Sequence, residues 1–74
     1  MSDALRAWRI EQARRRGVAP FVILHDRTLD AIASSLPRSL EELHRLPGIG
    51  PAKLDAYGDT ILSLIASVVA RTER

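Results

Sequence analysis

Apolar positions recur with a helical period along most of this chain. Over residues 3–17, Leu5 and Trp8 fall on one face with Ala13 near it. Asp3 suits a helix start, Arg14, Arg15 and Arg16 suit the negative end of the dipole, and Gly17 suits a stop. Leu29, Ile32, Ala33 and Leu36 stand at i, i+3, i+4 and i+7 and predict a helix over Asp26–Leu36, ended by Pro37. Ser39-Leu40-Glu41-Glu42 fits a capping box, with Glu42 reaching back to the Ser39 amide. It predicts a short helix, Leu40–Arg45, with Leu40 and Leu43 turned inward. Pro51 suits the first turn of another helix, which carries Lys53, Leu54 and Tyr57 and which Gly58 is expected to end. Asp59 then suits the start of a last helix, Thr60–Arg71, where Ile61, Ile65, Val68 and Val69 make one stripe with Leu62 beside it.

The stretch between the first two helices behaves differently. Pro20 forbids simple continuation, and Phe21, Val22, Ile23 and Leu24 follow without a polar break. In isolation this reads as a strand. No second strand exists to pair with it, and an unpaired strand leaves its backbone unsatisfied. A tight apolar connection packed across the core, with up to one turn of 3₁₀ helix, is expected instead. The whole pattern predicts an all-α chain of five helices with short loops.

Composition narrows what such a chain does. Seventy-four residues make one small domain, and 46% hydrophobic content covers a single core. A domain of this size buries only about 60% of its unfolded surface. With no cysteine there is no disulfide and no thiolate metal site, which fits a reducing compartment. No apolar run approaches the roughly 20 residues of a membrane span. The N-terminal residues lack the apolar region of a signal peptide. The Walker, dinucleotide-binding and zinc-protease motifs are absent, and His25 and His44 have no partner at metal-ligand spacing. Neither catalysis nor a cofactor nor a metal is expected; binding is the better expectation.

Charge matters through its distribution. Eleven basic residues against nine acidic ones leave +2. Residues 1–38 hold seven arginines and four acids, a net of +3, and residues 39–74 hold four bases and five acids, a net of −1. A basic face is expected on the first half, without a polycationic whole.

Three features can carry binding. The turn Leu46-Pro47-Gly48-Ile49-Gly50 joins two short helices in a helix-hairpin-helix pattern. Gly48 and Gly50 permit positive φ and leave no side chain in the way. Outward amides there, with the next helix's N-terminus, suit a phosphate oxygen, and Lys53 adds a charge. The same glycines equally suit a tight turn that plugs Ile49 into the core. Phe21 lies between Arg14–Arg16 and Arg27 in sequence, the neighbourhood of a base-stacking aromatic. Taken from the residues alone, it reads first as core filling. Trp8 reads as core, and Tyr57 suits either role. Against this, Asp26, Asp30, Glu41, Glu42, Asp55 and Asp59 would repel nucleic acid if they shared a face, and would dock a basic protein surface.

The order of these features resembles a known family. Leu5-x-x-Trp8-Arg9 leads to Gly17-Val18-Ala19-Pro20-Phe21-Val22-Ile23-Leu24-His25-Asp26-x-Thr28-Leu29, then to Pro37-x-Ser39-Leu40-Glu41-Glu42-Leu43, Pro47-Gly48-Ile49-Gly50 and Lys53-Leu54-x-x-Tyr57-Gly58. Over roughly residues 4–68 this resembles the HRDC domain, the helicase and RNase D C-terminal module, in its bacterial RecQ-type form. The resemblance implies a compact five-helix orthogonal bundle, a single domain with its core at about 4–70. It also implies a larger parent, a RecQ DNA helicase or an RNase D-like nuclease, that carries the chemistry. The implied role is weak binding of single-stranded or branched DNA, tuning the parent's substrate choice in recombination and repair.

In the family members that bind single strands, an aromatic in a Pro-aromatic-Val-Ile segment and nearby basic residues form the binding surface. Phe21 matches the aromatic, keeping the stacking face of the common Tyr without its hydroxyl, and Lys53 matches a basic position. Phe21 is thus expected to stack a base, Arg15, Arg16, Arg27 and Lys53 to contact phosphates, and Gly48 and Gly50 to present amides. The alternative is a module that docks through an acidic face on the parent helicase core or a repair protein. A monomer is expected, in the bacterial cytoplasm with the nucleoid and away from membranes.

Overall fold

A computed structural model describes residues 1–72. Helix α1 runs Ser2–Arg16, α2 Pro20–Ile23, α3 Asp26–Ser35, α4 Leu40–His44 and α5 Pro51–Thr72. The described residues contain five helices and no strand, but the five are not divided as the sequence suggests.

Helix α1 stops at Gly17, which takes the left-handed conformation at φ 67° and ψ 36°. The Gly17 and Val18 amides donate to the carbonyls of Arg14 and Ala13, the paired bonds of a Schellman cap. Its buried positions are Leu5, Arg9 and Ala13, so an arginine stands in the apolar row.

The connection after Gly17 contains one turn of α-helix rather than 3₁₀, with Pro20 at its first position. Only half of its apolar run packs inward. Ile23 and Leu24 are buried, while Phe21 is 53% exposed and Val22 48%.

Helix α3 buries Thr28, Leu29 and Ile32, and Ala33 and Leu36 pack against the core. It ends one residue early. Leu36 precedes Pro37, which disfavours the helical region, and sits left-handed at φ 47°. That conformation costs about 1–2 kcal/mol for an L residue. The Leu36 amide still donates to Ile32, 2.9 Å away, and Pro37 is fully buried behind it.

Ser39 caps α4 by accepting the Glu42 amide at 3.2 Å. The return bond differs from the expected capping box. The Glu42 carboxylate accepts from the Arg38 amide at 3.3 Å and from the Ser39 hydroxyl at 3.5 Å. Leu43 is buried as expected, but Leu40 is 42% exposed.

The largest correction concerns residues 51–72. Gly58 ends nothing and Asp59 starts nothing; both lie inside one helix of 22 residues. Leu54, Tyr57, Ile61 and Ile65 form a stripe that crosses Gly58 without a phase break, so burial outweighs the roughly 1 kcal/mol cost of an internal glycine. A Cβ at Gly58 would lie 2.7 Å from Cδ2 of Leu40. The glycine therefore marks where α4 crosses α5 closely. At 1.5 Å per residue α5 is roughly 33 Å long, close to the 37 Å long axis of the molecule.

The core joins all five helices: Leu5 and Ala13, Ile23, Leu29 and Ile32, Leu43, and Tyr57, Ile61 and Ile65, with Leu24 and Ile49 from the connections. Among the described residues no helix is long and apolar enough to cross a membrane.

Candidate nucleic-acid interface

The turn between α4 and α5 is built by Pro47 and Gly48. The Ile49 amide donates to the Leu46 carbonyl, and Gly48 at the third position has φ 84°, the pattern of a type II turn. Ile49 is buried, so the core-plug reading of this turn holds. The Thr28 hydroxyl donates to the Pro47 carbonyl at 2.8 Å and ties the turn to α3. A Cβ at Gly48 would collide with that hydroxyl, whereas one at Gly50 would meet nothing within 4 Å. The Gly50 carbonyl accepts the Leu54 amide and opens α5.

Helix α2 lies beside the first turn of α5. The Lys53 ammonium donates to the carbonyls of Val22 at 2.8 Å and Ile23 at 2.9 Å. From α1, Arg9 Nη1 donates to the next carbonyl, Leu24, at 2.9 Å and to Asp26 Oδ1 at 2.8 Å. Arg9 is 8% exposed, while Asp26 is open to solvent. The bond from Arg9, then its charge, holds the Asp26 carboxyl below the usual range; Arg6 and His25 add smaller pulls the same way, outweighing a small opposing effect of burial.

Two shallow grooves result. One is lined by Arg16, Val18, Val22, Ala52, Lys53 and Tyr57. The Arg16 guanidinium lies over the Tyr57 ring, 5.1 Å from its centre, and Trp8 meets the same ring edge-on at 5.4 Å. The other is lined by His25, Arg27, Thr28, Pro47 and Gly48. Phe21 links them in the chain: it stands in α2 next to Val22 and stacks on His25, with ring centres 6.0 Å apart and planes 14° apart. Arg16 and Arg27 form no ion pair among the described residues.

The sequence-predicted residues are thus partly assembled. Arg16 and Lys53 share one groove, Arg27 and Gly48 the other, and Phe21, lining neither, stacks on His25 of the second. Arg15 is elsewhere, paired with Glu11 at 2.9 Å beside Ile10 and Arg14. Gly50 lines neither groove. Sequence reasoning missed Arg9, Val18, Val22 and the stacking of His25. Arg9 was findable, four residues from both Leu5 and Ala13.

Four of the six acids are engaged locally. Asp26 pairs with Arg9, Asp30 with Arg6 at 3.8 Å and Glu41 with Arg45 at 2.8 Å, and Glu42 is in the α4 cap. Asp55 and Asp59 line a separate groove with Leu40, His44 and Leu54.

The family model for the HRDC domain matches residues 2–65. The chain belongs to the HRDC family. Its structure superposes on the third HRDC domain of a D. radiodurans RecQ with a TM-score of 0.87 and 41% identity, covering 92% of this chain and 90% of that one. Over 61 residues it is 41% identical to the ATP-dependent DNA helicase UvrD2 of Mycobacterium tuberculosis. It is 34% identical over 71 residues to the ATP-dependent DNA helicase RecQ of Bacillus subtilis, and 33% over 69 to ribonuclease D of Cronobacter turicensis. These matches take 82%, 96% and 93% of this chain but only 9%, 12% and 18% of the relatives. This HRDC domain is related to those of RecQ helicases, and its kin also include a second helicase type and a nuclease.

Proposed function

We propose that this HRDC domain is a non-catalytic accessory module that binds single-stranded or branched DNA weakly. The observation that carries this is Phe21, more than half exposed on a one-turn helix, stacked on His25 of one cation-bearing groove and next in the chain to Val22 of the other. A large ring held in water at this position contributes little to the core. One face rests on His25, so an incoming base extends the stack from Phe21 outward. Arg16 and Arg27, without acidic partners among the described residues, supply phosphate contacts, with Lys53 and the Gly48 turn close by. Arg15 and Gly50 contribute through long-range charge and backbone access only. Contacts of this kind grip backbone and ring faces and read little sequence. The parent is proposed to be a RecQ-like ATP-dependent DNA helicase acting in recombination and repair, in a bacterial cytoplasm, with the module tuning substrate choice as a monomer.

The test is a titration of a labelled single-stranded oligonucleotide at low and moderate salt. Phe21→Ala is expected to weaken binding about tenfold, the size of one lost stack. Arg16→Met is expected to weaken it and to lower the slope of log affinity against log salt by about 0.7. Absent or salt-insensitive binding by the wild type would reject the reading. It would favour docking on the parent or on a repair protein, for which exposed Leu40 beside Asp55 and Asp59 is the supporting feature.

A further inference from the structure

Phe21 is followed by three backbone carbonyls, Val22, Ile23 and Leu24, at the C-terminal end of α2. A helix leaves its last carbonyls without intrahelical partners, and a single turn has no stability of its own. Here none of the three is left to water alone. Lys53, from the first turn of α5, takes the first two at 2.8 and 2.9 Å. Arg9, from the buried row of α1, takes the third at 2.9 Å. Both partners are cations, the charge that the negative end of a helix favours. Helix α2 is thus fastened to its two long neighbours by its carbonyls, while Phe21 and Val22 face out.

We propose that Lys53, with Arg9, is a positioning residue that fixes the orientation of α2 and hence of Phe21, and that its ammonium is not a phosphate contact. The proposal deepens the reading of this surface as a single-strand site and rests on it for its DNA consequence. Two of the three ammonium donors are already committed to carbonyls. The lysine acts on the base stack through the backbone, whereas Arg16 and Arg27 act on phosphates directly.

The two roles leave different marks. A phosphate contact removed lowers the salt slope. A positioning contact removed lowers affinity at constant slope and disturbs the ring it positions. The experiment compares Lys53→Met with Arg16→Met in oligonucleotide titrations over a range of salt, alongside nuclear magnetic resonance of the Phe21 and His25 rings in the free proteins. For Lys53→Met the expected result is about tenfold weaker binding, a wild-type slope, and loss of the mutual ring shifts of Phe21 and His25. A slope that falls as for Arg16→Met overturns the proposal. So do wild-type ring signals in Lys53→Met, and so does unchanged affinity with displaced rings. If the wild type does not bind, the DNA reading fails, and the ring signals alone judge the clamp. If Lys53→Met does not fold, exchange of the Lys53 ammonium protons in the wild type decides: slowed exchange supports the clamp, and exchange as fast as a free lysine's overturns it.

Discussion

A methyl group at position 48 would meet the Thr28 hydroxyl and a backbone angle of φ 84° that L residues avoid. Gly48→Ala is therefore expected to destabilise the domain by about 1–2 kcal/mol, read as a lower urea midpoint at unchanged slope. Asp26 gives a second prediction at this scale. Its carboxyl titrates lower in the folded chain than in the unfolded one. The unfolded state then binds more protons on acidification, so the stabilisation is complete above the ordinary carboxylate value of about 3.9 and is lost as pH falls through the folded value. Urea midpoints of wild type and Asp26→Asn should differ by a constant amount near neutrality and converge in acid. Neither Asp26 nor Arg9 was legible as a pair. They lie 17 positions apart, and only the packing of α1 on the start of α3 brings them to 2.8 Å. Phe21 was legible through the family resemblance; its exposure was not, because four consecutive apolar residues carry no period that tells inward from outward.

Among the elements, the bounds of α1, α3 and α4 follow the sequence closely, because each is set by a strong local signal: Gly17, Pro37 or the Ser39 cap; the α4 stripe does not, since Leu40 turns outward. The stretch 51–72 shows the opposite case. Glycine followed by aspartate reads locally as a stop and a start, but the stripe Leu54–Tyr57–Ile61–Ile65 keeps phase across it, and burial decides. Gly58 is there for the approach of Leu40. That makes a sharp prediction. In wild type, Gly58→Ala combines a helix-propensity gain with displacement of Leu40. With Leu40→Ala already present only the gain remains, about 1 kcal/mol. Thermal unfolding of the four variants should show that coupling. A helix that broke at Gly58 would instead lose stability with Ala in both backgrounds.

For the whole molecule, the near-balance of charge resolves into local pairs. Arg6, Arg9, Arg15 and Arg45 are engaged by acids, and Arg16 and Arg27 are left to the two grooves. A net charge of +2 thus does not describe the two grooves, whose linings carry Arg27, Arg16 and Lys53 and no acid. Net charge sums over all surfaces and loses the geometry that a polyanion meets. Which of the arginines share a groove was beyond sequence, since the grooves lie between helices from distant parts of the chain.

The two-cation fastening of α2 also bears on how the chain folds. Two of its three bonds join residues 30 and 31 positions apart, farther than the 18 that separate Leu40 from Gly58 where α4 crosses α5, so each closes a longer loop. Helix α2 should consolidate late, after α1 and α5 have met. Ile23→Val, costing about 1 kcal/mol, should then act almost wholly on the unfolding rate, while Leu43→Ala should slow folding. The segment that presents Phe21 would be the last to arrive on the folding route and the first to leave.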